Sequence, residues 1–326
     1  MRIAIVRLSA VGDIIQSMIV LQFIKQRVAN VSIDWIVDSK FADLLDECKD
    51  IDKIIKLDIV KIKKKKSIAQ LFDTLKKLQK LEKYDQVYDL QGLIKSAIIT
   101  RFIPSEERIA FDRQSIREKL ASYFYSKKYH FPYHENVISR YVGLVGSSLK
   151  ISITEEDIFN KKPFFNLTSS KTNSDKPTIV IILGASFRSK IYPVDQYSVI
   201  AKTLSANFIA IWHTKDELKM AQKLHSLANN VSLVKCENFY ALKKVILNSD
   251  IVIGGDTGPT HLAWSLNKPS ITIFGSTPSK RNCFITEKNL AISSCSNINP
   301  YKINKHDSSI NKISPENIIA LITKLL

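Results

Sequence analysis

The sequence contains few of the residues from which disulfide frameworks and metal centres are built. Its 326 residues include four cysteines and six histidines, and neither type occurs at the spacing of a zinc site or of a CxxC pair. Four cysteines without such spacing, in a chain of this length, fit a reducing cytoplasm. The four are Cys48, Cys236, Cys283 and Cys295.

Two common phosphate-binding signatures are also absent. No GxGxxG follows a predicted strand and no GxxxxGK[ST] loop occurs, which removes the main support for nicotinamide and P-loop chemistry. Asp50-Ile-Asp52, the one Asp-x-Asp, stands just before a predicted strand and is interpreted as a turn. A metal-dependent diphosphate site therefore has no support in the sequence.

Long apolar runs are missing as well. No stretch approaches about 18 uninterrupted apolar residues, so we expect no membrane-spanning helix. The apolar opening Met1–Ile24 is interrupted by Arg7, Gly12, Asp13 and Gln16. Because no small-residue cleavage site follows it, we interpret it as a strand and a helix and not as a signal peptide.

Positive charge is abundant. Lysine and arginine number 48 against 31 acidic residues, which gives a formal net charge of +17. A nucleic acid, an anionic membrane surface or a small polyanionic substrate would each fit this charge. Only ten of the 48 are arginine, so a solvated, lysine-rich surface explains the excess equally well.

Strands alternate with helix-length segments along both halves of the chain, which predicts an α/β protein with parallel, doubly wound sheets. We expect a first Rossmann-like domain over 1–150, a polar linker over 151–176 and a second Rossmann-like domain over 177–326. Ligands of such sheets bind beyond the carboxyl ends of the strands, in a cleft. The predicted strands are Arg2–Leu8, Ser32–Asp38, Lys53–Leu57, Gln86–Leu90, Thr178–Leu183, Asn207–Trp212, Val231–Val234, Asp250–Ile253 and Ser270–Phe274, and helical segments are expected around Ser115–Tyr125 and Glu135–Leu149.

Asp13 follows the first strand in Ser9-Ala-Val-Gly-Asp13. An aspartate at a helix start accepts backbone N–H bonds and interacts favourably with the helix dipole. A carboxylate at the crevice also suits a general base that takes a proton from a hydroxyl. Both interpretations stand at this point, since one does not exclude the other.

Two turns of the second half favour an anion. Gly254-Gly-Asp-Thr-Gly-Pro-Thr-His261 joins a strand to a helix start, where free N–H groups and the dipole suit a diphosphate. Thr257 and Thr260 would add hydroxyls and His261 a ring nitrogen; an ordinary tight turn is the alternative. Ser186, Arg188 and Lys190 follow another strand and could point at phosphate, or form a plain basic loop.

Taken together, the motifs resemble the lipopolysaccharide heptosyltransferases of the inverting ADP-heptose glycosyltransferase family 9. The resemblance spans both halves. Its segments are Ser9–Asp13, Asp34-Trp35, Asp89-Leu-Gln-Gly-Leu-Ile-Lys-Ser96, Arg117–Tyr125, Lys190 with Tyr192-Pro193, and Gly255–His261. The segments Asp89–Ser96 and Arg117–Tyr125 favour the enzymes that add the first heptose to Kdo over those that add the second, which stay an alternative.

The resemblance implies a GT-B fold, no metal and no cofactor, with Asp13 as general base. The donor, ADP-heptose, would be held mainly by the second domain through Ser186, Arg188, Lys190, Asp256, Thr257, Gly258, Thr260 and His261, with Asp216 or Glu217 replacing the family's usual glutamate for the nucleoside. The acceptor, Kdo2-lipid A, would be held by the first domain through Gly12, Lys61, Lys64, Gln91, Lys95, Arg117 and Arg140. Peripheral attachment to the anionic inner face of the inner membrane is expected, since the acceptor is a lipid.

Two rivals belong to other classes. A nucleotide-dependent oxidoreductase would need the dinucleotide fingerprint that the chain lacks. A nucleic-acid-binding protein would explain the charge of +17, but no recognition motif or aromatic stacking platform accompanies it.

Overall fold

The computed structural model describes residues 1–171, 174–294 and 298–326. Cys295 lies outside the described residues. The chain divides into two compact units, Met1–Asn166 and Leu167–Leu326. Each unit contains one six-stranded, fully parallel sheet flanked by helices, so the expected α/β architecture of two Rossmann-like domains is confirmed.

The first sheet has the strand order β3-β2-β1-β4-β5-β6. Its strands are β1 Arg2–Val6, β2 Ser32–Asp38, β3 Lys53–Leu57, β4 Tyr84–Asp89, β5 Ser105–Phe111 and β6 Lys127–Tyr129. Its α-helices are α1 Val11–Ser17, α2 Ile19–Arg27, α3 Ile59–Lys65, α4 Ile68–Gln79, α5 Ile94–Phe102, α6 Val137–Leu149 and α7 Glu155–Phe159, and two 3-10 helices cover Ser39–Leu44 and Lys119–Phe124.

The second sheet has the order β12-β11-β10-β7-β8-β9. Its strands are β7 Thr178–Ile182, β8 Asn207–Trp212, β9 Val231–Lys235, β10 Ile251–Gly255, β11 Ser270–Phe274 and β12 Asn289–Ser293. Its α-helices are α8 Val194–Thr203, α9 Lys215–Leu227, α10 Phe239–Leu247, α11 Gly258–Ser265, α12 Ser279–Asn282 and α13 Pro315–Leu325, and two 3-10 helices cover Arg188–Lys190 and Ser309–Lys312.

The central strands form because their side chains are apolar on both sides. Ile179–Ile182 of β7 and Ile3–Val6 of β1 are buried at every position, as expected for strands covered by helices on both faces. In each sheet the strand order reverses beside the first strand, between β1 and β4 and between β7 and β10. Crevices at such reversals are where doubly wound sheets bind ligands.

Some expected elements differ from the structure. The segment Ser115–Tyr125 contains only the 3-10 helix Lys119–Phe124 and no α-helix. The predicted linker 151–176 is not wholly a linker, because α7 lies inside it and Asp157 of α7 pairs with Arg27 at 2.7 Å. The first unit therefore extends to Asn166. Strands β5, β6 and β12 were not predicted, since charged or polar residues interrupt their alternation.

None of the helices in the described residues has the length and hydropathy of a membrane span. Nor do three or more histidine, cysteine or acidic side chains meet in a metal-binding cluster within residues 1–171, 174–294 and 298–326.

Candidate active site

Asp13 lies at the carboxyl edge of the first sheet, in the first turn of α1. Its Oδ2 accepts the backbone N–H of Ala10 at 3.4 Å and lies 2.9 Å from Nη2 of Arg7. Its side chain is 47% exposed, and Oδ1 accepts no hydrogen bond from the described residues. Oδ2 thus makes the contacts expected at a helix start, and Oδ1 is the oxygen that a general base would use.

Arg7 was missed by the sequence analysis, which treated it only as an interruption of an apolar run. The residue directly follows β1 and is 6% exposed. Its Nη1 donates to the carbonyl oxygen of Leu90 at 2.5 Å, and its guanidinium lies 5.8 Å from the centre of the Tyr141 ring. A charged residue at the end of a fully buried strand was the available signal, because buried charges are retained mainly where they have partners.

The Asp89–Ser96 motif shapes the neighbouring turn, after β4. Asp89 is fully buried, and its carboxylate accepts the N–H groups of Gln91 and Gly92 and the Tyr125 hydroxyl. Burial raises the pKa of Asp89 despite these donors. Gly92 has φ of +65°, a left-handed conformation that glycine adopts without strain.

This turn brings two predicted acceptor residues to β1. The Gln91 Oε1 accepts the N–H of Leu8 at 3.0 Å, and its Nε2 lies 3.3 Å from the hydroxyl of Ser9. Lys95 Nζ donates to the same hydroxyl at 3.2 Å. Burial lowers the pKa of Lys95, and the charges of Arg7 and Lys63 lower it further. Positive charge therefore converges beside Asp13.

The other predicted acceptor residues differ in their placement. Lys61, Lys64 and Arg117 are exposed, and Lys61 pairs with Asp58 at 3.0 Å. Lys63, which the sequence analysis did not single out, is the lysine of α3 that interacts electrostatically with Lys95. Gly12 is half-buried in the turn before Asp13.

The structure contradicts the prediction that Arg140 binds the acceptor, because the side chain does not reach the surface. It is 3% exposed, and its guanidinium donates to the carbonyl oxygens of Ser115 and Phe131 at 2.5 and 3.2 Å. The Phe111 ring centre lies 4.4 Å away. These contacts tie α6 to the segment after β5, so Arg140 has a structural role in the first unit and not that of an acceptor clamp.

In the second unit, the site is built around the buried carboxylate of Asp256, at the end of β10. Oδ2 lies 2.9 Å from Nζ of Lys190 and 3.1 Å from Nδ2 of Asn282, while Oδ1 lies 2.8 Å from Nε2 of His261. Burial opposes the charge of Asp256, but the Lys190 ammonium and the His261 ring hold its pKa well below the ordinary value. Asn282, at the end of α12, was not predicted, since its segment carries no recognisable motif.

Glycine allows the chain to close around this carboxylate. A Cβ on Gly255 would lie 2.1 Å from the carbonyl oxygen of Lys190, and one on Gly275 would lie 2.7 Å from that of Ser189. The Arg188–Lys190 turn therefore packs directly on the ends of β10 and β11. Lys190 Nζ also donates to the carbonyl oxygen of Asp256 at 3.1 Å, so two of its three N–H groups are used within the protein.

Helix α11 begins beside Asp256 with its first turn uncapped by a side chain. Thr257 and Gly258 are half-buried there. Thr260, however, is fully buried and its hydroxyl donates to the carbonyl oxygen of Gly255 at 2.8 Å. The prediction that Thr260 offers its hydroxyl to a ligand is therefore wrong, and the half-buried helix start at Thr257 and Gly258 is the part of the motif that still suits an anion.

The remaining donor candidates surround the same edge. Ser186 and Arg188 are exposed after β7. Glu217 of α9 accepts the N–H groups of His213 and Thr214, each at 2.8 Å, and its carboxylate lies over Gly184, where a Cβ would come within 1.8 Å of Oε1. Asp216 is exposed on the outer side of the same turn, so the structure brings Glu217 to the strand ends and not Asp216.

The two Rossmann-like units thus place an exposed carboxylate at the strand ends of one sheet and a helix start suited to phosphate at the strand ends of the other. The model of "Glycosyltransferase family 9 (heptosyltransferase)" matches residues 72–313. Lipopolysaccharide heptosyltransferase 1 of Campylobacter coli is 38% identical over 100% of this chain and 99% of that protein. The chain belongs to glycosyltransferase family 9, the heptosyltransferases.

Other relatives agree with this assignment. Lipopolysaccharide heptosyltransferase 1 of Escherichia coli K12 is 27% identical over 85% of this chain and 88% of that protein. The structure of E. coli heptosyltransferase WaaC with ADP superimposes with a TM-score of 0.83 at 20% identity, with complete coverage of both chains. E. coli ADP-heptose heptosyltransferase II gives 0.72 at 17% identity, with 100% and 98% coverage. The structural matches support the GT-B fold.

Proposed function

We propose that this glycosyltransferase moves L-glycero-D-manno-heptose from ADP-heptose to a Kdo hydroxyl of Kdo2-lipid A, with inversion at the anomeric carbon and without a metal ion. The observation that carries the proposal is the state of Asp13. One carboxylate oxygen is fixed by Arg7 and by the Ala10 N–H, while the other is open and exposed. A base for a hydroxyl needs this combination of fixed orientation and one available oxygen.

In the proposed reaction, Asp13 Oδ1 takes the proton of the acceptor hydroxyl as its oxygen attacks the anomeric carbon of the donor. The bond from that carbon to the diphosphate breaks, and its electron pair leaves with ADP. One direct displacement inverts the configuration. Arg7 holds the carboxylate in position to accept the proton and stabilises its charge before the proton arrives.

The second unit would hold the donor. The start of α11 at Thr257 and Gly258, which no side chain caps, would donate backbone N–H groups to the diphosphate, and Lys190 retains one N–H beyond the two that it gives to Asp256. Ser186 and Arg188 would add contacts from the β7 turn. Glu217, placed over Gly184, is the better candidate for the nucleoside, in preference to Asp216.

The first unit would hold the acceptor, whose Kdo carboxylates and lipid A phosphates are anionic. Lys95 donates to the Ser9 hydroxyl in the turn before Asp13, and the charge of Lys63 acts on Lys95. Lys61, Lys64 and Arg117 are exposed and able to bind phosphate further out. Gln91 and Gly12 line the turn that carries the base.

The names of the relatives support this choice of substrates. Five curated relatives are called lipopolysaccharide heptosyltransferase 1, and E. coli WaaC has been solved with ADP-2-deoxy-2-fluoro heptose, at a TM-score of 0.80 to this chain. A lipid acceptor of the inner leaflet further leads us to propose a cytoplasmic protein bound peripherally to the inner face of the inner membrane.

The test is transfer from ADP-heptose by the purified protein in the presence of a chelator. One reaction contains Kdo2-lipid A and the other contains the same acceptor already carrying one heptose. We expect product on the first acceptor only. Product on the second alone would identify an enzyme that adds the second heptose, and rescue by added Mg²⁺ would contradict metal independence. If neither acceptor gives product, the donor or the acceptor assignment is overturned.

A further inference from the structure

The first unit exposes large apolar side chains on one side of its sheet. Eight such residues are exposed within Met1–Asn166, and six of them lie on α4, α5 and the 3-10 helix Lys119–Phe124. Ile68 is 70% exposed and Phe72 is 58% exposed. The six, called here the apolar patch, are Ile68, Leu71, Phe72, Ile94, Leu120 and Tyr123.

The elements that carry the patch are neighbours. Helix α4 packs against α5, and α5 packs against Lys119–Phe124. Helices α4 and α5 precede β4 and β5 in the parallel sheet, so their first turns lie at the edge where the preceding strands end. Ile68 and Ile94 each begin one of these helices. The patch therefore reaches the same edge of the sheet as Asp13.

Helix α4 shows why the patch is unusual. Leu75 and Leu78 are 6% and 1% exposed and belong to the core with Leu57 and Val87. Ile68, Leu71 and Phe72 precede Leu75 by seven, four and three residues, the spacing that places side chains on one side of a helix. The stripe that packs into the core thus continues along α4 as an uncovered apolar surface.

Cations border this surface. Residues 61–80 contain eight lysines and one acidic residue, Asp73, a local charge of 8 − 1 = +7. Among the described residues, Lys63, Lys64, Lys65 and Lys66 form no ion pair, and Lys61 is paired with Asp58.

Apolar side chains bordered by unpaired lysines match the surface of an anionic bilayer. The anionic lipid headgroups attract the lysine ammonium groups, and the acyl chains accept aliphatic and aromatic side chains. A nucleic acid would use the lysines but leave Ile68 and Phe72 in water. A second copy of this chain would bring another cluster of +7 against the first, which is repulsive.

We propose that the apolar patch and the lysines of α3 form a membrane-docking surface, with Ile68 and Phe72 inserted between lipids of an anionic bilayer. The role of this surface in catalysis rests on the proposed function, because a lipid-borne acceptor would be presented at the sheet edge that carries Asp13. Binding itself requires neither donor nor acceptor.

The test is flotation of the protein with vesicles of 30% phosphatidylglycerol and 70% phosphatidylcholine at low salt, with neither substrate present. We compare the wild type with Ile68→Ser/Phe72→Ser and with a control, Val199→Ser/Tyr240→Ser, which removes exposed apolar side chains from the second unit. We expect the first variant to lose roughly 100-fold in partition coefficient, about tenfold for each side chain withdrawn from the lipid. The control should bind like the wild type.

Insertion is measured separately with Phe72→Trp and brominated acyl chains, against the wild-type tryptophans as baseline. We expect additional quenching in the variant. Equal flotation of Ile68→Ser/Phe72→Ser and the wild type, or no additional quenching, would overturn the docking surface. Lipid-independent dimers in light scattering that Ile68→Ser/Phe72→Ser disperses would identify a second copy as the occupant instead.

Failure of the docking surface and failure of the proposed function give different results. Transfer to a soluble, deacylated acceptor with no flotation of the wild type would retain the reaction and reject the surface. Flotation that depends on Ile68 and Phe72, without transfer to any acceptor, would retain the surface and reject the reaction. Ile68→Ser/Phe72→Ser should keep its rate on the deacylated acceptor.

Discussion

The Arg7 guanidinium and the Asp13 carboxylate form a 2.9 Å ion pair in which the arginine is 7% exposed in its side chain and the aspartate 47%. The buried partner is fixed by the Leu90 carbonyl and the Tyr141 ring. A fixed cation therefore holds a carboxylate that is open to solvent on its other oxygen. Two predictions about transfer depend on this pair.

Replacement of Asp13 by asparagine should reduce kcat by about 10²- to 10⁴-fold, the range for loss of a general base. The amide has nearly the same volume but does not take up the proton. Donor affinity, measured by calorimetry with ADP, should stay within twofold of the wild type, because the donor contacts are proposed in the second unit. Full activity of Asp13→Asn would remove the assignment.

Arg7→Met should lower kcat by about 10- to 100-fold, because the carboxylate loses the contact that fixes its direction. Arg7→Lys should recover part of this loss, since it restores a cation but not the two-pronged geometry. Arg2→Met is the matched control, as Arg2 lies at the opposite end of β1 and pairs with Asp34 at 3.6 Å. If Arg2→Met and Arg7→Met reduced kcat equally, the role of Arg7 would be stability alone.

The motif Ser9–Asp13 predicted that Asp13 lies at the strand ends, because a short turn after a buried strand leaves little choice of geometry. The contacts that fix Arg7, the partner of Asp13, could not be predicted in this way, because Leu90 and Tyr141 are distant in sequence. They meet Arg7 only through the pairing of β1 with β4 and the packing of α6. Arg140 illustrates the opposite error. The family resemblance implied that Arg140 is an acceptor clamp, whereas its aromatic neighbours bury it.

The same distinction applies in the second unit. Gly254–His261 predicted a helix start that suits an anion, and α11 begins at Gly258. That Lys190 and His261 both hold Asp256 could not be predicted, because the 3-10 turn Arg188–Lys190 reaches β10 only through the space left by Gly255. Side-chain partners across a sheet edge depend on such close approaches, which a sequence pattern does not specify.

Lys190→Ala should weaken donor binding by about 1–3 kcal/mol, the usual cost of a lost hydrogen bond to a charged group. It should also destabilise the second unit, because Asp256 would stay buried without its main counter-ion. Calorimetry with ADP and urea unfolding measure the two effects. Lys235→Ala is the control, since it breaks an exposed pair with Glu237 at 3.0 Å and should change the unfolding free energy by less than about 1 kcal/mol.

Gly255→Ala should destabilise the second unit by about 1–3 kcal/mol, as overpacking of a closed contact does. The added methyl group would need to displace the Lys190 carbonyl, 2.1 Å from its position, and this would move the Lys190 ammonium away from Asp256. Donor affinity should fall with stability. A stable Gly255→Ala protein with unchanged ADP affinity would show that the 3-10 turn shifts freely, in contradiction to the proposed coupling of Gly255 and Lys190.

Acid should weaken the second unit through Asp256. Because the folded-state pKa of this carboxyl is depressed, the unfolded chain binds the proton more readily, and the unfolded pKa is about 4. The stabilisation is therefore complete above about pH 4 and is lost as the pH falls toward the lower folded-state value.

In urea unfolding, the gap in unfolding free energy between wild type and Asp256→Asn should be constant from about pH 7 to 5 and should narrow below about pH 4. Exposed Asp216→Asn should give no such gap at any of these pH values. A gap for Asp256→Asn that stayed constant down to about pH 3 would mean that the Lys190–Asp256–His261 cluster contributes no charge-dependent stability to the folded unit.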